Sequence, residues 1–343
     1  MDQVLKRISE IAETKPVYRF FKDNPFWDSK DQLPVGNAIW NGKETPNSLS
    51  FKFSNSASGL AGIFGIHSKH FDERFDEAVH GSGSELNKIG ILNSSSLAAL
   101  LFFHDVSPEN NLSIELNGEP AIFDECHFEA RNKCIGAPSN IDVALFGRKE
   151  TGTVVLFLEA KFSEYLTPEP CYNISTAYWP YYKNDYKDVL VKCGLDPTPG
   201  VKKEKDGSSK DVINLIGRPH YCEGIKQMTC HHIGARNFAT HNYHKNGIQH
   251  KLASYLGCKT KDLATQRYDV FLGEILFRFD DDIDKDSQAF EDYKTMYNSF
   301  ALNVPDSPVK MVNNLLTYQD VFSHYDGLTK EIRSYYKIGT KSL

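Results

Sequence analysis

Asp142, Glu159 and Lys161 are the residues of this chain whose types and spacing suit them best to chemistry. Asp142 sits in the run Ser139-Asn140-Ile141-Asp142-Val143-Ala144-Leu145-Phe146. The other two close the run Val154-Val155-Leu156-Phe157-Leu158-Glu159-Ala160-Lys161-Phe162. Both runs are rich in apolar, β-branched and aromatic residues, the composition of buried strands. Charge in such a place is costly unless it is paired or bound to a cation. Two carboxylates and the Ala160 backbone carbonyl make an all-oxygen donor set of the kind that Mg2+ takes, with Mn2+ as a substitute. Such an ion stabilises charge growing on a phosphodiester and lowers the pKa of a bound water, while a neighbouring ammonium, Lys161, orients that water. A plain ion pair between Glu159 and Lys161 at a strand end is the competing reading of the same tripeptide.

The elements that must position these residues follow from the pattern. Residues 147–152 read as the loop of a hairpin joining the two runs. Alternation along the second strand puts Glu159 and Lys161 on one face and Ala160 on the other. Folding about that loop places Asp142 opposite Phe157, so that Asp142 and Glu159 become diagonal neighbours about 7–8 Å apart at Cα. Upstream, Ser94 to Ser96 offer caps for a buried helix over residues 97–103. Residues 123–131 alternate weakly, as a half-buried strand with His127 and Glu129 on one face, and Glu129 is a third candidate carboxylate. Downstream, residues 221–238 predict a helix with Ile225, Met228, His232, Ile233 and Ala235 on its buried stripe. Lys226, Gln227 and His231 are its candidates for contact with a phosphate or the attacking water, against the alternative of a solvated polar face. Residues 268–277 predict a closing strand.

With Asn140-Ile141-Asp142 as the first half of a motif and Glu159-Ala160-Lys161 as the second, the chain resembles the PD-(D/E)XK nuclease superfamily. Pro138 departs from the pattern, standing four residues before Asp142 rather than beside it. Within that superfamily the likeness is to bacterial restriction-endonuclease-like proteins. It is carried by Ser94-Ser95-Ser96, Phe128-Glu129 and Glu159-Ala160-Lys161-Phe162-Ser163-Glu164, and covers about residues 80–280. The resemblance implies an α/β fold with a restriction-endonuclease-like core: helix, three-strand antiparallel meander, helix and closing strand, in a mixed sheet flanked by helices. It implies a metal-dependent deoxyribonuclease of restriction or defence type that leaves a 5'-phosphate, with DNA as partner and a homodimer as an assembly such enzymes use. Asp142, Glu159 and Ala160 then hold Mg2+, Lys161 is catalytic, and Glu129 and Gln227 lie near the reaction. Glu85 stands where some members donate a further acid from the first helix. Two alternatives keep the same fold: a repair, recombination or RNA nuclease, and a non-catalytic nuclease-like module that binds nucleic acid or a protein.

The remaining sequence frames this core. Residues 1–80 form an N-terminal extension, with 1–15 patterned as a short amphipathic helix; 81–280 form the nuclease core; 281–343 form a helical C-terminal segment. Residues 165–219 are an insertion in which Tyr178, Trp179, Tyr181 and Tyr182 interleave with lysines, as nucleic-acid grooves do. Acids nearly cancel those lysines, so residues 201–210 also read as a solvated, mobile stretch. A small local core is the other reading of the aromatic cluster. A net charge of -6 gives no support for tight nonspecific binding to a polyanion. No apolar run reaches the length of a membrane span or a signal peptide, so the expected protein is cytoplasmic, with no membrane partner. Seven cysteines, an odd count, suggest free thiols rather than a disulfide framework. His220, Cys222, Cys230, His231, His232, His241, His244 and His250 are a dense set of zinc-capable residues, but they lack finger spacing. Gly59, Gly62 and Gly65 lack the Gly-Lys-Ser/Thr of a nucleotide loop, and the acids of residues 280–286 read as a solvated loop.

Overall fold

The computed structural model describes residues 56–80, 89, 94–166, 171–204, 206–217, 222–279 and 284–339, with Val17, Phe20, Phe21 and short strand pairs between 34 and 51. Residues 1–15, Glu85 and His220 lie outside them. Residues 57–64, which include Gly59 and Gly62, form helix α1 (Ala57–Phe64), closed by Gly65 in the left-handed region at φ 61°. Helix α2 spans Phe71–His80. In α3 (Ser95–Phe103) the Ser94 hydroxyl accepts from the Leu97 amide at 3.0 Å. Every side chain from Leu97 to Phe103 is buried, so this helix runs through the core rather than along its surface.

Four strands follow as an antiparallel meander: β1 (Leu112–Leu116), β2 (Glu119–Asn132), β3 (Ser139–Lys149) and β4 (Gly152–Lys161). The sequence suggests three; the extra one is β1, which pairs with the first half of a longer β2. The expected loop at 147–152 is also too long. Both strands run on to Lys149↔Gly152, leaving Glu150 and Thr151 as a two-residue turn, with Gly152 at φ 133°. That tighter turn moves the register by two positions. Phe157 pairs with Ala144, and Asp142 stands level with Glu159 instead of diagonal to it.

The insertion folds as its own antiparallel sheet, β5 (Cys171–Ser175), β6 (Leu195–Lys203) and β7 (Ser209–Gly217), with two short helices, α4 (Trp179–Lys183) and α5 (Lys187–Lys192). The stretch expected to be mobile is therefore ladder: Val201↔Asp211, Lys202↔Lys210 and Lys203↔Ser209 are paired. Its Tyr182 and Tyr186 are fully buried, and Trp179 and Tyr181 form a half-buried rim. Of the cluster, then, Tyr182 belongs to a local core, while Tyr178, Trp179 and Tyr181 are half-buried beside it.

After the insertion come α6 (Cys222–Ala239), α7 (Gln249–Tyr255) and β8 (Tyr268–Leu276). Strand β8 is parallel to β4, which makes the sheet mixed. Helix α8 (Asp284–Asn303) takes in Asp284 and Asp286, which the sequence suggests are loop. The C-terminal segment also supplies strands as well as helices: β9 (Val309–Met311) and β10 (Leu316–Thr317), both parallel to β8, then α9 (Tyr318–Phe322) and α10 (Lys330–Tyr336). The spatial order is β9-β8-β4-β3-β2-β1, with β10 also on β8. The result is an α/β protein with a curled mixed sheet flanked by helices.

Two packing features fix the ends of the central strands. Helix α6 crosses so close to the start of β3 that a Cβ on Gly234 would lie 2.8 Å from the Ser139 Cβ and 3.2 Å from the Asn132 Cβ. Only glycine allows that approach, which carries the rest of α6 onto the sheet. Directly after Lys161, the Phe162 ring packs 4.9 Å from Phe277, 5.8 Å from Tyr336 and 6.5 Å from Phe21. Both ends of the described chain therefore meet at the end of β4.

Candidate active site

The register of the sheet sets four carboxylates in one row. Glu274 of β8 is paired with Glu159 of β4. Asp142 stands one position beyond Val143↔Leu158 and so level with Glu159. Glu129 stands between Phe128↔Val143 and Ala130↔Ile141, level with Asp142. Neighbouring strands are about 4.8 Å apart, so the four acids occupy successive steps across the sheet. The ladder is irregular at Glu129, whose φ is 49°, a left-handed conformation that costs a non-glycine residue of order 1 kcal/mol or more. Glu77 of α2 holds the backbone there by accepting from the Phe128 amide at 3.1 Å. Glu129 also lines a cleft of about 260 Å³ with His127, Arg131 and Lys251.

Asp142 is half-buried, and its Oδ2 accepts from the Ala160 amide at 2.7 Å. Burial, and then the charges of Glu159 and Glu129, push its carboxyl well above the usual carboxylate range. Glu159 goes the other way. Burial would raise it, but the Lys161 ammonium and His231 more than offset this and hold it ionised, below the ordinary glutamate value. Lys161 Nζ donates to Glu159 Oε1 at 2.7 Å and to Gln227 Oε1 at 2.6 Å. Burial opposes its charge, yet the surrounding carboxylates Glu159, Glu164, Glu274 and Asp142 raise it above an ordinary lysine, so it stays an ammonium. His231 Nε2 lies 2.8 Å from Glu159 Oε2, without the alignment of a hydrogen bond. Its Nδ1 is 2.6 Å from the Ser139 hydroxyl.

Asp142, Glu159, Lys161 and Gln227 are therefore brought together, and Glu129 stands beside them at the rim. Lys226 turns elsewhere, its ammonium lying 5.6 Å from the Tyr172 ring centre. His231 is buried on the site rather than on a solvated face. His232 is held by the Tyr186 hydroxyl at 2.6 Å and the Ser307 hydroxyl at 3.1 Å. Among the described residues no group of three His, Cys, Asp or Glu side chains is gathered as a metal-holding set, and this includes the zinc-capable residues.

Two members escape the sequence reading. Ser139 gives no local signal, because its partner lies on a helix 92 residues away. Glu274 does give one: it is an acid set between Leu272-Gly273 and Ile275-Leu276 in an apolar run, the same anomaly that marks Glu159. It is completely buried, its Oε2 accepts from the Tyr293 hydroxyl at 3.0 Å, and its Oε1 has no hydrogen-bond partner among the described residues. Burial lifts its carboxyl to about 8, with Lys161 opposing and Glu159 adding. Because the folded form binds the proton more tightly than the unfolded chain, stability falls as pH rises from about 4.5 to about 8. A Glu274→Gln protein is expected to be more stable than wild type by on the order of 1–3 kcal/mol at pH 8, and nearly equal to it at pH 4.5. Urea denaturation at the two pH values measures this, and an unchanged gap between them would contradict the burial of a neutral Glu274.

Comparison with protein-family models, with curated proteins and with solved structures finds no match for this chain.

Proposed function

We propose that this chain is a metal-dependent nuclease of the PD-(D/E)XK type that hydrolyses phosphodiester bonds in DNA, an endonuclease of restriction or defence type. The observation that carries this reading is the meeting of Asp142, Glu159 and Lys161 on adjacent strands, with Gln227 of α6 on the Lys161 ammonium. A buried ammonium held between a carboxylate and an amide is fixed in place, and a phosphate or a water brought to it meets a donor that needs no reorganisation. The Ala160 amide holds the Asp142 carboxylate in one orientation.

Asp142, Glu159 and the Ala160 carbonyl would hold Mg2+ or Mn2+, and the donor chemistry fits. All three are oxygen ligands, and the crowding of carboxylates that raises Asp142 is the repulsion a divalent cation relieves. When bound, such an ion supplies Lewis-acid stabilisation of the phosphate and a more acidic water. No helix of the described residues is long and apolar enough to cross a membrane.

A second reading rests on a specific observation. Both oxygens of Glu159 are already engaged, by the Lys161 ammonium at 2.7 Å and the His231 ring at 2.8 Å, which favours a closed polar cluster in a non-catalytic nucleic-acid-binding module. The test is cleavage of plasmid, linear and single-stranded DNA and of RNA, with Mg2+ or with a chelator, by wild type beside Glu159→Gln. Mg2+-dependent DNA cleavage lost in the variant supports the nuclease. Equal cleavage by both proteins is contamination and removes the assignment. Absence of cleavage together with no Mg2+ binding by calorimetry favours the module, and cleavage of RNA alone moves the substrate.

A further inference from the structure

Cys134 lies in the link between β2 and β3, and Cys230 lies on α6 directly before His231. The Cys134 sulfur is 3.4 Å from the Cys230 carbonyl oxygen and 3.7 Å from the Tyr178 hydroxyl. The link is docked on the helix by other groups as well. Asn237 Nδ2 donates to the Lys133 carbonyl at 2.8 Å, and Lys133 Nζ donates to Asn242 Oδ1 at 2.8 Å. Cys134 is half-buried and within reach of a small solute, whereas Cys230 is buried behind it. We propose that Cys134 and Cys230 are an oxidation site, a dithiol that a hydroperoxide converts to a disulfide joining the β2–β3 link to α6.

The chemistry of the two sulfurs differs in the sense this needs. The Cys230 thiol and then the Tyr178 hydroxyl beside it outweigh the effect of burial and lower the Cys134 thiol to about 6, which favours the thiolate at neutral pH. Cys230, beside Cys134 and deeply buried, is pushed up and keeps its proton. In the first step the Cys134 thiolate attacks one oxygen of the hydroperoxide. An S–O bond forms, the O–O bond breaks, and the other oxygen leaves with a proton as water or an alcohol. In the second, Cys230 loses its proton and attacks the Cys134 sulfur; the S–S bond forms, the S–O bond breaks, and water leaves. Two thiols lose two electrons and one peroxide gains them. The bond requires the sulfurs to close to about 2.05 Å, and the Cys134 sulfur already touches the Cys230 backbone.

The staple would sit one residue from the histidine that faces Glu159, but its formation does not depend on the nuclease reading. The whole purified protein is treated with hydrogen peroxide, quenched with N-ethylmaleimide, digested without reductant and mapped by mass spectrometry. A Cys134–Cys230 peptide in wild type that is lost with dithiothreitol, and absent from both Cys134→Ser and Cys230→Ser, is the expected result. Further oxidation of Cys134 to the sulfinic acid in Cys230→Ser supports the same order of steps. No such peptide, or linkage of Cys134 to other cysteines in equal yield, overturns the proposal. Should a serine variant fail to fold, the rate of iodoacetamide labelling of Cys134 in wild type decides: half-maximal near pH 6 is expected, and the ordinary thiol midpoint near 9 overturns it.

Discussion

A Lys161→Met protein is expected to lose about 3–5 kcal/mol of folding stability at neutral pH and to lose Mg2+-dependent cleavage by about 10²-fold or more. Methionine fills much the same space, so the effect is electrostatic. The Lys161 side chain is 6% exposed and sits among Glu159, Glu164 and Glu274, and removing it leaves Glu159, 5% exposed, with the His231 ring as its remaining neighbour at 2.8 Å. Burial, no longer outweighed, then raises the Glu159 carboxyl. In wild type this glutamate is depressed below its unfolded value of 4.5, so its contribution is present above that pH and is lost as pH falls further. The stability gap between wild type and variant is therefore widest near pH 7 and narrows on acidification. Urea denaturation across pH reads the first effect and a plasmid assay the second. A variant that is destabilised but cleaves normally would show that Lys161 serves the fold alone.

Asp142→Asn has the opposite sign on stability and the same sign on function. The amide keeps an oxygen for the Ala160 N–H, and it removes the charge that burial, Glu159 and Glu129 make costly. Between the unfolded carboxylate pKa and its raised folded value, wild type loses stability as pH rises and the variant does not. The variant is expected to be more stable by about 1 kcal/mol or more at neutral pH, equal to wild type below about pH 4, and at least about 10³-fold slower. Such trade-offs are usual where a site stores unfavourable charge. Thermal denaturation at pH 4 and pH 7.5, beside cleavage rates, checks both halves. An Asn variant less stable than wild type at pH 7.5 would show that Asp142 is structurally paired and is not held in tension with its neighbours.

The same distinction explains what was legible in the sequence. Asp142, Glu159 and Lys161 stood out because charge interrupts runs that otherwise want burial, and burial is a property of the local pattern. Their relation across the hairpin was not legible to the residue. Glu150-Thr151 closes as a two-residue turn, whereas the glycines at 147 and 152 suggest a wider one, and the two-position difference turned a diagonal pair into a level one. Helix α6 and strand β8 followed from periodicity, but which of their residues meet the site depends on how they dock. Gln227 and His231 were both named, yet only the close approach at Gly234 decides that one faces Lys161 and the other Glu159. The β6–β7 hairpin was obscured by its lysines and acids, whose pairing in a ladder leaves no mark on composition.

The convergence of Phe20 and Phe21 with Phe162, Phe277, Tyr335 and Tyr336 bears on how the molecule comes into being. Strand β4 carries Glu159 and Lys161, but its far neighbour β8 is joined by β9 and β10, and its end is capped by rings from near residue 20 and near residue 336. A nascent chain that had emerged from the ribosome only as far as the hairpin would hold three charged side chains in a half-built sheet with no means of burying them. Assembly of the row must wait for α10 to emerge. A nuclease of the proposed kind would then acquire its cutting power only after residues 330–336 had been translated and docked.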